Sequence, residues 1–309
     1  MSKTVPSTVP MPLTRRTAMF RWAQACTLGI AASLAGQAHA VDVDAGDYTA
    51  LPEGTNLGMV YYQHAERRSL YADGHKQPGK PGLDSDIGIL RGVHFMKLGG
   101  FTIDPQFLLP FGQLEGQRDT AGLGKSDAGI GDLILASTVW LVERPEAKTY
   151  FGVTPFLYVP TGRYDRDDAL NLGENRWKFA LQAGFIQGLG DKWWLDLIGD
   201  VTWFGKNDDA TAAGLTLRQS ALYQGQAFLR YQLTPSFDLR VGYSKLWGGE
   251  TRLDGVDQHD EPKTAKFLVG AGWFVAPKTQ LLFNYGRDHS VENGFREGDR
   301  FNVRLMQMF

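Results

Sequence analysis

The stretch FTIDPQFLLPF, residues 101–111, alternates between apolar and polar side chains with a period of two. One parity is apolar throughout and consists of Phe101, Ile103, Phe107, Leu109 and Phe111. The other parity begins with Thr102, Asp104 and Gln106. Successive side chains of a β-strand point to opposite faces, so this pattern predicts a strand with one apolar and one polar face.

The same alternation recurs along the chain, for example in WKFALQAGF (177–185), KWWLDLIGDVTW (192–203) and FDLRVGY (237–243). It predicts twelve strands, near residues 55–64, 85–97, 101–112, 128–142, 148–160, 176–188, 192–204, 216–232, 237–247, 264–275, 280–287 and 299–309. Pro105 and Pro155 fall inside two of them, although proline cannot donate to a ladder. No run after residue 40 reaches the roughly 18 apolar residues that predict a spanning helix.

The connections between these strands alternate between short and long. The short, turn-like ones lie at 98–100, 143–147, 188–191, 233–236 and 276–279. The long, polar ones lie near 65–84, 113–127, 161–175, 205–215, 248–263 and 288–298. This asymmetry is typical of an outer-membrane barrel, which has short periplasmic turns and longer external loops.

A β-sandwich also alternates and also uses hairpins. Aromatic residues near the strand ends favour a barrel, because such girdles suit the two membrane interfaces. They are Phe101, Trp193, Phe237 and Phe309 near the short turns, and Phe111, Trp203 and Tyr243 near the long loops. In lipid every backbone group must be paired, which a closed sheet achieves. We therefore predict an all-β fold, a transmembrane antiparallel up-and-down β-barrel of twelve strands, over residues 41–309.

Residues 1–40 have the pattern of a cleaved secretory signal. Lys3, Arg15, Arg16 and Arg21 precede the apolar stretch 26–36, and Ala-His-Ala at 38–40 forms a cleavage site. Cys26 is the sole cysteine, so a mature chain from Val41 would have neither disulfides nor thiolate metal sites. Together with the barrel, this signal predicts export to the bacterial outer membrane.

Three stretches resemble one protein family. They are DYTALPEGTNLGMVYYQH (47–64), GIGDL (129–133) and VPTGRYDRDDALNLGENRWKF (159–179). The family is the group of outer-membrane proteins named for the phenol meta-degradation pathway, and the resemblance covers nearly the whole mature chain. It implies an outer-membrane barrel that admits aromatic or other hydrophobic compounds, and it carries over no functional residue.

The polar parity predicts charged residues in the lumen. They are Asp132, Asp196, Asp200, Arg218, Arg230, Arg240, Lys266, Arg300 and Arg304. Opposed charges across a lumen could orient permeating solutes. Alternatively, these charges pair with each other and brace the wall, because charges in a poorly hydrated interior need partners. We favour the bracing interpretation and leave the other open.

No catalytic, cofactor or metal site is predicted. Outer-membrane phospholipases are also twelve-stranded barrels, and they use a catalytic serine and a catalytic histidine. The one stretch that resembles such a catalytic site here is GRDHSVENG (286–294). Ser290 directly follows His289, so on a strand the two side chains would face opposite sides. The acidic loop 162–175 has Leu170 where a calcium loop needs glycine, and is predicted to be a solvated external loop.

The chain ends in RFNVRLMQMF, residues 300–309, an alternating strand with a final phenylalanine. This end resembles the terminal signal by which the barrel-assembly machinery recognises outer-membrane proteins. We predict that the last strand closes the barrel against the first, near residues 57–61. Phe309 would then lie at the periplasmic rim as the assembly signal.

The sequence thus predicts a passive outer-membrane channel for small hydrophobic or aromatic solutes, and not an enzyme. The alternatives are a structural or adhesive barrel that acts through its external loops and, less favoured, an outer-membrane lipase. The predicted partners are outer-membrane lipid and lipopolysaccharide, the barrel-assembly machinery during biogenesis, and the solute. The formal net charge of −2 gives no indication of a nucleic-acid partner.

Overall fold

The computed structural model describes residues 43–309, so the predicted signal at residues 1–40 lies outside the described residues. Twelve long strands form the wall and are numbered here in chain order: β1 Asn56–Ala72, β2 Pro81–His94, β3 Phe101–Arg118, β4 Leu133–Arg144, β5 Thr149–Val159, β6 Lys178–Leu189, β7 Trp193–Phe204, β8 Leu222–Thr234, β9 Phe237–Gly248, β10 Lys263–Ala276, β11 Thr279–Val291 and β12 Gly294–Met308. The predicted all-β fold and the number of wall strands are confirmed. Among residues 43–309, no helix has the length and apolarity to cross a membrane.

The sheet closes on itself. Each wall strand pairs with the next one along the chain, and β12 pairs antiparallel with β1, with Leu57 opposite Met308. The Phe309 N–H donates to the Asn56 carbonyl oxygen at 3.0 Å, so the pairing reaches the last residue. A closed sheet leaves no unpaired edge, which is the condition for strands in lipid.

The apolar parity of the wall faces outward and the polar parity faces the lumen. In β3, Phe101 and Phe107 are each 46% exposed, whereas Thr102 and Asp104 are 1% and 3% exposed. Exposed aromatic residues form two belts on the outer surface: Phe101, Trp193, Trp273 and Phe309 near the short turns, and Phe111, Trp177, Phe179, Trp203, Tyr223 and Trp247 near the external loops. The belts match the aromatic girdles of outer-membrane barrels.

Five wall strands extend further at the external end than the alternation predicts. β1 continues to Ala72, β3 to Arg118 and β11 to Val291, while β2 already begins at Pro81 and β12 at Gly294. The prediction of a long last loop over residues 288–298 is wrong, because only Glu292 and Asn293 join β11 to β12. Beyond the membrane both faces of a strand can meet water, so the apolar alternation that marks a membrane strand is lost there.

The predicted strand over residues 216–232 is in fact two strands. Leu217–Gln219 pairs with Thr251–Leu253 in a separate sheet of the external loops, which Val256–Asp257 completes. The wall strand β8 begins only at Leu222. The loops after β7 and β9 therefore pack together, around Leu217 and Leu253.

Two prolines lie inside wall strands, and at one of them a lumen side chain accepts a backbone N–H of the neighbouring strand. Pro105 lies in β3 opposite Ser137 and supplies no ladder donor. The neighbouring Asp104 carboxylate accepts the Thr138 N–H. Pro155 lies in β5 opposite Leu181, with its ring on the outward face.

Candidate permeation pathway

Residues 43–51 precede β1 and lie inside the barrel, near the end that carries the short turns. We call this segment the N-terminal plug. Val43, Ala45, Tyr48 and Ala50 are each at most 9% exposed, and they join a buried cluster that includes Trp140 of β4. The periplasmic part of the lumen is therefore occupied by the chain itself.

Two carboxylates of the N-terminal plug pair with arginines of the wall. Arg304 Nη1 lies 2.8 Å from Asp47 Oδ1 and 3.1 Å from Asp44 Oδ2, and Arg91 Nη1 lies 2.9 Å from Asp47 Oδ2. Asn284 Nδ2 donates to Asp44 Oδ1 at 2.9 Å. Burial raises the pKa of Asp44, whereas at Asp47 the Arg304 and Arg91 guanidiniums outweigh burial and lower the pKa. The ionised form of Asp47 is thus the one that the docked plug favours.

The backbone of the plug is held from the opposite side of the barrel. The Gly46 N–H donates to Asp196 Oδ2 at 2.5 Å, and Arg230 Nη2 donates to Asp196 Oδ1 at 2.9 Å. Arg240 Nη1 donates to the Ala45 carbonyl oxygen at 2.9 Å. At this level the lumen charges pair and brace the plug, as the bracing interpretation requires.

Tyr48 fills a socket in the wall. A Cβ atom placed at Gly184 of β6 would lie 2.2 Å from the Tyr48 ring, so only glycine leaves room for it. Tyr48 Oη donates to Gln182 Oε1 at 3.0 Å and lies 2.9 Å from Thr154 Oγ1. Trp140 Nε1 donates to the Tyr48 carbonyl oxygen at 3.0 Å. The plug contacts strands on all sides of the lumen, and it therefore crosses the lumen.

Between the plug and the external loops, one side of the lumen is apolar. Leu108, Ile134, Phe156, Tyr158 and Ala180 form a buried cluster on the neighbouring strands β3 to β6, and we call it the apolar wall. The residues adjacent to them in sequence, such as Leu135 and Leu157, are exposed on the outer surface. The apolar wall therefore faces the lumen and not the lipid.

The opposite side of the lumen carries ionisable groups from β1, β10, β11 and β12. Arg67, Lys266, Asp288, Glu297 and Arg300 are each at most 7% exposed, and we call them the charged wall. Arg67 Nη2 donates to Glu297 Oε1, while Lys266 Nζ and Arg300 Nη1 lie 3.2 Å and 3.5 Å from Glu297 Oε2. The Glu297 N–H donates to Asp288 Oδ2 at 2.7 Å.

Three glycines from separate parts of the chain fix the base of the loop between β5 and β6. A Cβ at Gly162 would lie 2.6 Å from Gly131 C, and one at Gly173 would lie 2.7 Å from Gly162 C. The Asp132 carboxylate accepts the backbone N–H groups of Gly162 and Glu174, each at 3.0 Å. The sequence motifs around residues 129–133 and 161–175 thus meet in one structural unit, which anchors this loop.

The anchored loop reaches over the external end of the lumen. Leu170 is 3% exposed and packs with Leu83 of β2 and Phe295 of β12, on the side of the barrel away from β5 and β6. The prediction of a wholly solvated loop is therefore wrong at Leu170, although Asp165 and Asp168 are exposed. We call residues 160–177 the roof loop.

The predicted lumen residues have different positions in the structure. Asp196, Arg230, Arg240 and Arg304 contact the plug or its partners, Lys266 and Arg300 lie in the charged wall, and Asp132 anchors the roof loop. Asp200 is half-buried on β7, with Gln182 Nε2 at 3.4 Å from its carboxylate. The prediction for Arg218 is wrong: it lies exposed in the external loop sheet, because the wall strand begins only at Leu222.

Asp44, Asp47, Tyr48 and Arg91 are lumen residues that the period of two does not predict. The plug has no period of two, so the alternation of apolar and polar residues does not mark it as part of the lumen. A signal did exist in the charge balance. The predicted lumen parity holds more bases than acids, and buried bases require acids from elsewhere in the chain.

The lipase alternative gains no support from the geometry. His289 and Ser290 are consecutive, exposed residues of β11 at a β-bulge, and among the described residues no hydrogen bond joins their two side chains. Within residues 43–309, no group of three or more His, Cys, Asp or Glu side chains is arranged to hold a metal ion.

Comparison with known proteins gives a consistent result. The profile of the family described as "MetA-pathway of phenol degradation" matches residues 67–305. The crystal structure of an outer membrane channel from Pseudomonas putida F1 is 44% identical, with a TM-score of 0.84 over 87% of this chain and 100% of that one. The transport unit of the autotransporter AIDA-I from Escherichia coli shares the fold alone, with 8% identity and a TM-score of 0.50 over 92% of this chain and 97% of that one. No curated protein matches the sequence.

Proposed function

The chain belongs to the family described as the MetA-pathway of phenol degradation, and we propose that it passes small hydrophobic or aromatic solutes across the outer membrane by diffusion. The family, the closed barrel and the similarity to an outer membrane channel make it an outer-membrane β-barrel channel. What the channel admits, and in which direction, is the part that we propose.

The apolar wall carries this proposal. A lumen that conducts only water and ions has no need of buried leucine, isoleucine and phenylalanine side chains on its inner face. Apolar surface of a solute that is removed from water against such a wall stabilises binding by roughly 25 cal/mol per Å². An aromatic solute would therefore partition onto Phe156, Ile134 and their neighbours, whereas a sugar would not.

Passage requires movement of the segments that close the lumen. The roof loop covers the external side and the N-terminal plug crosses the periplasmic side. A solute would enter beside Leu170, bind against the apolar wall, and leave when the contacts of Asp44, Asp47 and Tyr48 loosen. Each of these steps is driven by the concentration gradient and by thermal motion.

A deletion strain of the native host tests the proposal. We expect slower uptake of radiolabelled toluate at limiting concentration, and slower growth on it, with unchanged growth on acetate. Complementation by the wild-type gene should restore both. Equal uptake with and without the protein, together with no aromatic flux in proteoliposomes, would overturn the proposal.

A matched pair of variants tests the role of the apolar wall. Ile134→Asn places an amide among the apolar side chains, and the loss of about 1 kcal/mol of apolar contact should slow aromatic uptake about fivefold. Ser244→Asn introduces the same amide on the polar face of β9 and should change uptake little. Equal effects of the two variants would show that the apolar wall is not the binding surface.

We propose that residues 1–40 are cleaved on export and that the C-terminal strand with Phe309 is read by the barrel-assembly machinery. Outer-membrane lipid would contact the exposed apolar residues of the wall, and lipopolysaccharide would contact its external end. Mass spectrometry of the purified protein would show whether the mature chain begins at Val41.

A further inference from the structure

The side chain of Tyr48 is itself a phenol, with its Cβ as the para substituent. It is 4% exposed and lies on the inner face of the barrel wall. A Cβ placed at Gly184 would lie 2.2 Å from its ring, and one at Gly152 would lie 3.1 Å from it. The socket of Tyr48 therefore already holds a phenol with the shape of p-cresol, which is a small aromatic molecule of the kind that the proposed function involves.

The floor and the sides of this socket belong to the wall and not to the plug. Gly152 of β5 lies opposite Gly184 of β6 in the ladder. Trp140 of β4 lies opposite Gly152 on the other side. Ile198 of β7 lies opposite Gly184. Two residues without side chains are thus flanked by two large ones, which leaves room for a ring between them. Because the ladder of four neighbouring strands fixes this row, the socket stays in place when the plug leaves.

The polar end of the socket offers one hydrogen-bond acceptor and one donor to a hydroxyl group. Tyr48 Oη donates to Gln182 Oε1 at 3.0 Å and lies 2.9 Å from Thr154 Oγ1. A phenol hydroxyl has a single hydrogen, which it gives to Gln182, so Thr154 donates to its lone pair. Gln182 Nε2 lies 3.4 Å from the Asp200 carboxylate, which leaves Oε1 as the atom that faces the socket. Gln182 and Thr154 are each 2% exposed, so an occupant without a hydroxyl group would leave both buried and unpaired with it.

The socket continues the apolar wall towards the periplasmic side. Gly152, Thr154 and Phe156 are alternate residues of β5 and share its lumen face. Phe156 belongs to the apolar wall, whereas Thr154 and Gly152 belong to the socket. Since β5 starts at a short turn, Gly152 lies nearer the periplasmic end than Phe156 does. A solute that moves inwards from the apolar wall therefore reaches the socket next.

We propose that the socket is a binding site for a phenolic solute and that Tyr48 occupies it as an internal competitor. The inference rests on the proposed function and adds to it a site and a narrower solute class. The solute takes the place of the Tyr48 ring and makes the same hydroxyl contacts with Gln182 and Thr154. Because it binds only where the ring has left, its binding shifts the plug towards the undocked state. A phenolic solute thereby promotes the opening of its own exit.

Binding of p-cresol to the full barrel in lipid nanodiscs tests the competition, with empty nanodiscs as the background. Tyr48→Ala empties the socket and should bind p-cresol about tenfold or more tightly than the wild type, because no ring has to leave first. Adding Gly184→Ala places a methyl group where the solute ring would lie, and should weaken binding about tenfold. This methyl group leaves the wall undisturbed, because the three atoms nearest to a Cβ at Gly184 all belong to Tyr48. Tyr48→Ala with Gly286→Ala is the matched control and should bind as Tyr48→Ala does, since a Cβ at Gly286 makes only ordinary contacts.

A second ligand tests the role of the hydroxyl group. 4-Methylanisole has the ring and the methyl group of p-cresol but cannot donate a hydrogen bond. It should bind Tyr48→Ala about tenfold more weakly than p-cresol, because Gln182 Oε1 then stays buried without its donor. Adding Gln182→Leu removes this acceptor and should abolish the difference between the two ligands. Gln187→Leu, at the periplasmic end of the same strand and outside the socket, is the matched control and should keep the difference.

The outcomes distinguish this inference from the proposed function. Equal affinity of the wild type and Tyr48→Ala for p-cresol overturns the inference, and so does undiminished binding after Gly184→Ala is added. Equal binding of p-cresol and 4-methylanisole to Tyr48→Ala also overturns it. Proteoliposome uptake of radiolabelled toluate is measured on the same preparations, and uptake that persists in each of these cases leaves the proposed function standing. No uptake of any aromatic solute overturns the proposed function and the inference with it.

Discussion

Replacing Gly184 by alanine should release the N-terminal plug from the wall. The missing side chain at Gly184 leaves the space that the Tyr48 ring occupies. A methyl carbon there would lie 2.2 Å from Tyr48 Cγ, whereas carbon atoms in contact are separated by roughly 3.5–4 Å. The ring cannot retreat towards β5, because a Cβ at Gly152 would already lie 3.1 Å from it. It therefore has to leave the socket.

The free energy lost can be worked out from the contacts of Tyr48. Burial of the ring, which is 4% exposed, contributes about 2 kcal/mol. The contacts of its hydroxyl group with Gln182 and Thr154 contribute about 0.5–1 kcal/mol each. The docked state of the plug should lose about 3–4 kcal/mol in all. Since 1.4 kcal/mol is a factor of ten, the ratio of docked to undocked plug should fall roughly 100- to 1,000-fold.

Hydrogen exchange in lipid nanodiscs measures this ratio at the plug itself. Backbone amides of residues 43–51 should exchange faster in Gly184→Ala by the same factor, while those of the wall strands keep their wild-type rates. Single-channel conductance should rise, because the undocked segment no longer crosses the lumen. Gly286→Ala is the control: Gly286 is also a buried wall glycine, but a Cβ there would make only ordinary contacts of 3.4 Å or more. Wild-type exchange of the plug in a correctly folded Gly184→Ala barrel would refute the reasoning.

Further substitutions test the other contacts. Asp47→Asn should lower the free energy of plug docking by roughly 3 kcal/mol more than Asp44→Asn does, as measured by hydrogen exchange of the plug amides. The reason is that Asp47 pairs with two buried arginines, whereas burial already opposes the charge of Asp44. The pKa of Asp47 is lowered in the docked state, so the ionised carboxylate stabilises the docked plug fully at neutral pH, and this stabilisation is lost as the pH falls through that pKa. Hydrogen exchange of the plug amides in Asp44→Asn should therefore become faster in acid. Asp132→Ala leaves two backbone donors of the roof loop unpaired, at about 1–3 kcal/mol each, and should make residues 160–177 protease-sensitive, whereas Asp168→Ala at the exposed tip should not. Phe309→Ala should lower the amount of folded, heat-modifiable barrel in the outer membrane more than the uptake per inserted barrel, and normal levels would contradict this.

The wall could be predicted because lipid and lumen impose opposite polarities on alternate residues. That constraint holds only where a strand is in the membrane, as in residues 101–111. This constraint is absent from the external end of β12, where Arg296 and Glu297 precede the apolar alternation of Phe301 and Val303. The external ends of β1, β3 and β12 were therefore missed for a physical reason.

The plug and the roof loop could not be predicted from a period, because neither is a strand. Their positions depend on contacts between distant residues, such as Asp47 with Arg304 and Leu170 with Phe295. Arg218 was misplaced for a related reason. It continues the alternation of β8 in sequence, but its strand pairs with another external loop and not with the wall.

The difference between the wall strands and the two segments inside the lumen, the plug and the roof loop, also bears on how permeability is controlled. A wall strand in lipid cannot break its ladder, because each unpaired backbone group there costs several kcal/mol. The plug and the roof loop are held by side chains and can move at the cost of a few such contacts. We therefore expect the wall to determine which solute binds, through Phe156 and Ile134, and the plug and the roof loop to determine when it passes. Variants in the apolar wall should then change the relative uptake of different solutes, whereas variants at Tyr48 or Asp132 should change the uptake of all solutes together.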